Sequence, residues 1–305
     1  MSVVYAMQLA TDTLQYGVRK GSEVENFMTS VERVTAYTHI EQEPGYENQH
    51  KPPANWPHQG QIKLKNLSLA YYQGAPRILK DLSFTILSHE KIGIVGRTGA
   101  GKSSLVAALF RMPRPTGDVT IDEVNIGDIN IQSSRRAMSV ITQNPVLFTG
   151  SLRMNMDPFD ECEDKEIWDA LEEASLKSMV EKLPWQLDED IKESGANFSA
   201  GERQLLCLAR ALLKRSKIIV MDEATANVDH KTDQLIQETI RTKFQQCTVI
   251  TIAHRLNTVL DYDRVLVLEN GQVVEFDNPK LLLQDKEGLF YRLYHGYNGK
   301  ANSIE

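Results

Sequence analysis

The chain has 305 residues, with 34 Lys and Arg against 41 Asp and Glu, and its formal net charge is −7 at pH 7. This length allows one large domain or two modest ones. The acidic balance argues against broad nucleic-acid binding, because a phosphate backbone requires a basic face. A nucleotide needs positive groups only locally and is not excluded. The cysteines Cys162, Cys207 and Cys247 lack metal-ligand spacing and indicate reduced thiols in a cytosolic domain.

The N-terminal segment is apolar but too short to span a membrane. No run of about 20 apolar residues occurs, so the sequence predicts no complete transmembrane helix. Residues 3–10 also lack the charged start and the cleavage site of a signal peptide. Positive charge follows at Arg19 and Lys20, an order that suits the cytoplasmic end of a spanning helix. A soluble helix packed on a domain explains these residues equally well.

A helix and a linker are predicted next. Apolar residues recur at helical spacing over residues 23–38, which predicts one amphipathic helix. The stretch 41–60 is polar and contains four prolines, which predicts a domain boundary. We therefore expect a first segment over residues 1–45, a linker over residues 46–60 and a globular domain over residues 61–305.

The globular domain alternates predicted strands and helices. Residues 62–71 alternate apolar with polar side chains, which predicts half-buried strands. Asn270 and Gly271 predict a tight hairpin, and from about residue 160 to 214 the mixture of charged and apolar residues predicts a helical insertion. This order predicts an α/β fold with a largely parallel core sheet and antiparallel strands at its start. Further short apolar runs predict strands at residues 119–121, 138–141, 218–221, 249–252 and 265–268.

A glycine-rich motif stands between a predicted strand and a predicted helix. Residues 96–103 read GRTGAGKS and fit the pattern G-x-x-x-x-G-K-S/T. Glycines let backbone N–H groups turn around phosphate oxygens, and the helix N-terminus adds partial positive charge. Lys102 can reach the β- and γ-phosphates, and the Ser103 hydroxyl can ligate Mg²⁺. The nucleotide-binding candidates in this motif are Gly96, Thr98, Gly99, Ala100, Gly101, Lys102, Ser103 and Ser104.

Polar residues also follow three other predicted strands. Asp222 and Glu223 end one of them, where Asp222 can hold Mg²⁺ and Glu223 can accept a proton from an attacking water. The alternative is that Asp222 and Glu223 are simply two solvated acidic residues at the end of a strand. His254 follows a second strand and is a candidate contact of the γ-phosphate. Gln143 follows a third and can offer its amide oxygen to Mg²⁺ or to water.

A second candidate anion site lies at residues 197–204, which read NFSAGERQ and lead into a strong predicted helix. Ser199 and Gly201 at a helix N-terminus favour an anion, although an ordinary N-cap is the alternative. One nucleotide rarely needs two phosphate-binding helix starts in one chain. The second start therefore indicates a second chain or domain.

In combination these residues closely resemble the ATP-binding cassette of ABC transporters, over about residue 61 to the C-terminus. The resemblance implies a P-loop NTPase fold with a RecA-like core, an antiparallel β subdomain and an inserted α-helical subdomain. The residues within these motifs are similar to those of class C, the multidrug-resistance-associated subfamily. The motifs follow the family order: Walker A at residues 96–103, Q-loop at Gln143, signature at 198–202, Walker B at Asp222 and Glu223, D-loop at 226–229, and H-loop at His254.

The resemblance also implies cofactors and site residues. ATP and Mg²⁺ are the implied cofactors, with Ser103, Gln143 and Asp222 as metal ligands. By resemblance, an aromatic side chain just upstream of the cassette core stacks on adenine. Tyr71 fits this role, and Tyr72 is its neighbour on the opposite face of the strand. A core tyrosine in a strand is the alternative reading of Tyr71.

The partners and location are implied in the same way. Class C members often replace the Walker B glutamate with Asp in the first cassette and keep Glu in the second. Glu223 therefore makes this chain resemble a second, C-terminal cassette. The N-terminal segment then resembles the end of the last spanning helix plus a linker. The implied partners are the first cassette and the transmembrane domains of one transporter, at a membrane, with the cassette on the cytoplasmic side and no nucleic acid.

The signature departs from the family's Leu-Ser-Gly-Gly-Gln at three positions, where Phe198, Ala200 and Glu202 stand. Ser199 and Gly201 remain and supply the hydroxyl and the close backbone approach. Glu202 in the first turn of a helix suits the helix dipole. It would be unfavourable only if it faced a phosphate.

Two functions follow as expectations. The favoured one is the ATP-hydrolysing motor domain of an exporter, with ATP held between the Walker A side of one cassette and the signature of another. The alternative is an ATP-gated or regulatory class C cassette with slow turnover. Glu223 favours the motor. A soluble cassette of the DNA-repair or translation type should lack the membrane-like N-terminal segment.

Overall fold

The computed structural model describes residues 1–48, 50–222, 228–253 and 256–301. Contacts divide the chain into two units, Met1–Pro44 and Gly45–Glu305. The first unit consists mainly of one helix, α1 (Ser2–Thr38), which begins well before the predicted residue 23. Its apolar side chains are exposed. Among the described residues no helix combines the length and the apolar character needed to cross a membrane.

The second unit alternates strands and helices as the sequence predicts. Short single turns of 3-10 helix occur at Gln186–Asp188, Glu193–Gly195 and Leu256–Val259. The strands are β1 (Ile62–Leu69), β2 (Leu79–Ile86), β3 (Lys91–Val95), β4 (Thr116–Ile121), β5 (Val124–Asn125), β6 (Met138–Ile141), β7 (Gly150–Ser151), β8 (Asp190–Ile191), β9 (Ile218–Asp222), β10 (Thr248–Ile252), β11 (Arg264–Glu269) and β12 (Gln272–Asp277). The helices are α2 (Lys102–Leu109), α3 (Ile131–Arg136), α4 (Leu152–Met156), α5 (Asp164–Glu173), α6 (Lys177–Val180), α7 (Ala200–Lys214), α8 (His230–Thr242), α9 (Pro279–Leu282) and α10 (Leu289–Ala301).

The main sheet has six strands in the order β12-β11-β3-β10-β9-β6. The five strands from β11 to β6 are parallel, and β12 pairs antiparallel with β11 through the predicted hairpin. β3 and β10 are buried along almost their whole length. This is the pattern of a parallel sheet that is covered on both faces, and it explains why the sequence shows continuous apolar runs here.

The second sheet is antiparallel, with the order β2-β1-β4-β5. Its apolar face shares one core with the main sheet and with α2. Ile62 and Leu79 from this sheet belong to the same buried cluster as Ile94 from β3 and Leu105 from α2. The helix that follows the glycine-rich motif is therefore fixed between two sheets, which holds its first turn in place.

A separate core belongs to the helical insertion. Leu171 of α5 and Leu205 and Leu208 of α7 lie in one buried cluster. The insertion is helical as predicted, except for the two-residue strand β8, which pairs with β7. This core is continuous with Met221 of β9, so α7 is held beside the main sheet.

Residues 45–60 were mostly predicted as a linker. Those that the structure describes, 45–48 and 50–60, contain neither helix nor strand, but several are hydrogen-bonded to the cassette. Trp56 Nε1 donates a hydrogen bond of 2.8 Å to the carbonyl of Ile121. The carboxylate of Asp122 accepts three bonds, from the backbone N–H groups of Gln59, Gly60 and Gln61, at 2.8, 3.0 and 2.8 Å. Burial raises the pKa of Asp122, but these N–H donors outweigh it and bring the pKa below the ordinary value.

We expect Asp122→Ala to lower the free energy of unfolding by about 1.5 kcal/mol, because bonds to a charged acceptor are lost. Since the folded-state pKa is depressed, this stability is present above about pH 4 and is lost as the pH falls further. Urea unfolding at pH 7 and at low pH measures the difference. The exposed Asp128→Ala is the control. Equal midpoints for the two variants at pH 7 would show that the Asp122 bonds do not stabilise the fold.

Candidate nucleotide-binding site

The predicted site segments follow strands that lie side by side. Ile252 of β10 pairs with Ile94 of β3 on one side and with Asp222 of β9 on the other. β6, which ends two residues before Gln143, pairs with β9 in parallel. Because parallel strands end at the same edge, residues 96–101, Asp222 and Gln143 share the carboxyl edge of the sheet, where ligands bind in open α/β folds.

The glycine-rich loop needs glycine for backbone geometry and for space. Gly96, Gly99 and Gly101 have φ values of 155°, 82° and 103°. A Cβ on Gly96 would lie 2.4 Å from the carbonyl oxygen of Leu268, and one on Gly101 would lie 2.9 Å from Leu79 Cδ2. The loop leads directly into α2, whose first-turn N–H groups have no acceptor within the helix. This arrangement provides backbone donors for a phosphate.

The side chains of this first turn add charge and hydroxyl groups. Lys102 Nζ donates to the carbonyl oxygens of Gly96 at 2.9 Å and Arg97 at 3.3 Å, so its ammonium group lies over the loop. Ser103 is exposed, whereas Ser104 is buried. An anion bound over the loop would therefore contact the Lys102 ammonium group as well as the backbone N–H donors.

Tyr71 lies beside the same turn. Its hydroxyl is 3.0 Å from Ser104 Oγ, and either atom can donate. The side chain of Tyr71 is 46% exposed and that of Tyr72 is 72% exposed. Neither tyrosine belongs to the core, and Tyr71 has a hydrogen bond to the helix that follows the glycine-rich loop.

The oxygen atoms at this edge are suitable ligands for a Mg²⁺ ion that is bound together with a nucleotide. They comprise the Ser103 hydroxyl, the half-buried Asp222 carboxylate and the exposed Gln143 amide. Within the described ranges no three His, Cys, Asp or Glu side chains come together as a metal cluster. One carboxylate with neutral oxygens matches a Mg²⁺ ion that takes its other ligands from phosphates and water. Two further predicted residues, Glu223 and His254, lie outside the described residues.

The second predicted anion site is a capped helix start. Ser199 is the N-cap of α7, and its Oγ accepts from the backbone N–H of Glu202 at 3.2 Å. In return, Glu202 Oε2 accepts from the Ser199 N–H at 2.7 Å. The glutamate thus replaces the family's glutamine as the partner in a capping box. Ala200 is the first residue of α7, so no left-handed backbone is required at that position.

A polar network behind the Q-loop was missed from the sequence. The buried Gln204 of α7 donates from Nε2 to the Thr142 carbonyl at 3.2 Å. Arg210, also on α7, donates to the carbonyls of Val146 at 2.7 Å and Asn155 at 2.6 Å. Burial lowers the pKa of the Arg210 guanidinium. The sequence signal that could have revealed this network is the presence of two polar residues, Gln204 and Arg210, among the apolar residues of α7.

The comparisons with known proteins agree with this geometry. The family model described as ABC transporter matches residues 79–226. ATP-binding cassette sub-family C member 4 of Homo sapiens is 52% identical over 303 residues, 99% of this chain and 23% of the relative. Probable multidrug resistance-associated protein lethal(2)03659 of Drosophila melanogaster is 50% identical over 295 residues, 95% of this chain and 22% of the relative.

A solved structure, that of a bacterial Atm1-family ABC exporter with ATP bound, superposes with a TM-score of 0.80 at 29% identity, over 90% of this chain and 48% of that one. The predicted cassette fold is therefore confirmed. The chain spans less than a quarter of the length of these curated relatives, at 23% and 22%. It belongs to the ABC transporter family, as an ATP-binding cassette of class C, the multidrug-resistance-associated group.

Proposed function

We propose that this chain is the nucleotide-binding domain of an ABC-type exporter and that it binds and hydrolyses ATP to drive transport across a membrane. The observation that carries the proposal is the glycine-rich loop and first turn of α2 beside Asp222 at one edge of a parallel sheet. The relatives support it, since one is a sub-family C member and the solved structure is an exporter with ATP bound.

The residues at the sheet edge then have distinct roles. The loop amides and Lys102 bind the phosphates, and Ser103, Asp222 and Gln143 hold Mg²⁺. Bound Mg²⁺ would neutralise charge that develops on the phosphate oxygens during transfer. Glu223 acts as general base toward the attacking water, and His254 contacts the γ-phosphate, both by family resemblance. Phosphoryl transfer depends chiefly on such positioning and electrostatics.

The signature serves a second ATP, bound by a partner cassette. The Ser199 hydroxyl accepts the capping bond with a lone pair, so its hydrogen remains available for a phosphate oxygen. Together with Gly201, it would contact the γ-phosphate held by the partner. ATP then joins two cassette faces, and hydrolysis releases them.

The partners and location follow from this scheme. The partner is the first cassette of the same transporter, because Glu223 marks this chain as the second. Residues 1–45 form the end of the transmembrane domain and a linker helix, residues 46–60 connect, and the cassette lies on the cytoplasmic side of the membrane. The regulatory or channel-type alternative is not favoured, because the relatives include a multidrug resistance-associated protein and an exporter.

Tyr71 is proposed to stack on the adenine base, and its replacement tests this role. We expect Tyr71→Ala to weaken ATP binding by roughly 1–3 kcal/mol, in line with base–aromatic stacking. Tyr71→Trp should preserve the affinity, because it keeps an aromatic face. Titration with a fluorescent ATP analogue measures both. Tyr72→Ala is the matched control, and the assignment is wrong if that variant loses affinity while Tyr71→Ala does not.

The transport function itself requires the complete transporter. We expect its Mg·ATP turnover in phospholipid vesicles to rise when transported substrate is added, and to be mostly lost in the Glu223→Gln variant. A slow turnover that no substrate stimulates, together with ATP-dependent opening of a conductance, would favour the regulatory alternative.

A further inference from the structure

The first turns of α7 and α8 are in direct contact. Gly201, in the first turn of α7, is buried. A Cβ at this position would lie 3.0 Å from Thr232 Oγ1, 3.1 Å from Thr232 Cγ2 and 3.4 Å from Asp229 Oδ1. The backbone of Gly201 is helical, so the position does not need the conformational freedom of glycine. A side chain here would instead require Thr232 to shift by a few tenths of an ångström.

The residues of α8 that contact Gly201 are fixed in place by hydrogen bonds between Asp229 and Thr232. Asp229 is the N-cap of α8. Its carboxylate accepts from the Thr232 N–H at 3.0 Å and from Thr232 Oγ1 at 2.8 Å. These bonds to Thr232 lower the pKa of Asp229 below its ordinary value. Thr232 cannot rotate away from α7 without losing the bond from its hydroxyl to Asp229.

We propose that Gly201 is a positioning residue that lets the signature helix lie directly on the capped start of α8. The signature segment and the first turn of α8 then keep one fixed geometry. This inference rests on the proposed function, in which the signature faces the partner's ATP and Asp222 faces the chain's own ATP.

The resemblance gives Gly201 a different role, a close approach to nucleotide. The two roles predict different responses to a second substitution. If the Gly201 contact with α8 matters, Thr232→Ala should compensate for Gly201→Ala, because it removes both of the closest Thr232 atoms. It retains the Thr232 N–H, which donates to the carboxylate of the N-cap Asp229. If only the approach to nucleotide matters, no change at Thr232 can compensate.

The test is a double-mutant cycle with Gly201→Ala, Thr232→Ala and the double variant, in the nucleotide-free 305-residue chain. We expect Gly201→Ala to lower the unfolding temperature and to speed hydrogen exchange in the first turn of α8, and the double variant to recover both. Gly296→Ala is the control, since that helical glycine has nothing within 4 Å of an added Cβ. A chain that folds only when both substitutions are present also supports the contact.

The same variants are compared in the complete transporter. We expect Gly201→Ala to lower kcat by about threefold to tenfold with little change in KM for ATP, and Thr232→Ala to restore it, as for coupled neighbours. Strictly additive unfolding and kinetic effects would overturn the inference. A transporter without ATP turnover would refute the proposed function instead, while the unfolding and exchange cycle would still decide whether Gly201 packs on α8.

Discussion

Lys102→Ala should weaken Mg·ATP binding about tenfold or more, because a charge-assisted contact worth on the order of 1.5–3 kcal/mol is lost. It should also abolish hydrolysis. The ammonium group of Lys102 lies over the loop, where it donates to the carbonyl oxygens of Gly96 and Arg97. A bound phosphate would accept from the same group. Titration with a fluorescent ATP analogue measures the loss of affinity.

Arg97→Ala is the matched control for Lys102→Ala. It removes one positive charge from the same loop, but from an exposed side chain. Exposed charges contribute little, so we expect its affinity to fall by no more than about threefold. Thermal unfolding of each variant shows whether the fold is retained. Wild-type ATP affinity in Lys102→Ala, or an equal loss in Arg97→Ala, would rule out the proposed role of Lys102.

Glu223→Gln should bind ATP nearly as well as the wild type but lose most hydrolysis. The substitution keeps the shape and hydrogen bonding of the side chain and removes its ability to accept a proton. General-base catalysis of this kind contributes about a hundredfold to ten-thousandfold. Phosphate release in the presence of the partner cassette measures the loss. Size-exclusion chromatography with Mg·ATP should show the closed pair persisting.

Two further variants complete this experiment. Glu269→Gln is the control, because Glu269 also ends a parallel strand, β11, beside the strand that leads into the glycine-rich loop. It should hydrolyse ATP normally. Ser199→Arg should prevent pairing, since a bulky side chain would occupy the approach of the partner's γ-phosphate. If Glu223→Gln hydrolyses ATP at the wild-type rate, the general-base role is wrong.

Much of the fold is predictable because its signals are local. The apolar run 138–141 coincides with β6, and Asn270 and Gly271 form the predicted hairpin with φ values of 50° and 79°. Positive φ at both central residues is what a type I′ hairpin turn requires. The glycine-rich loop, Asp222 and Gln143 each follow or end a strand of the predicted parallel sheet, and they share one edge in the structure because paired parallel strands have a common direction.

The features that were missed depend on contacts between distant residues. Residues 45–60 have the composition of a linker, but Gln59 bonds to Asp122, 63 positions later. Strand β7 consists of Gly150 and Ser151 and carries no apolar alternation, so only its pairing with β8 defines it. Both readings of the N-terminal residues were helical, but their continuity with the helix at residues 23–38 was not predicted. Gly17 and Gly21 weaken this helix without ending it.

For the candidate site too, local sequence signals were predictable and contacts between distant residues were not. The sequence predicted candidate residues for phosphate chemistry, because glycines, a lysine and strand-ending carboxylates have characteristic spacing. It did not indicate the packing of Gly201 on Thr232 or the bonds of Arg210 behind the Q-loop, since neither partner is near in sequence. The direction of the Glu202 side chain also became clear only from its bond to the Ser199 N–H.

The proposed function requires that the loop and first turn of α2 hold the phosphates of ATP. Hydrogen–deuterium exchange of the wild-type chain, with and without Mg·ATP, tests this binding mode. We expect ATP to slow exchange of the backbone amides at residues 97–104, and Lys102→Ala to reduce this protection at the same ATP concentration. If ATP binds but leaves these amides unchanged and protects another part of the chain, the loop does not hold the phosphates.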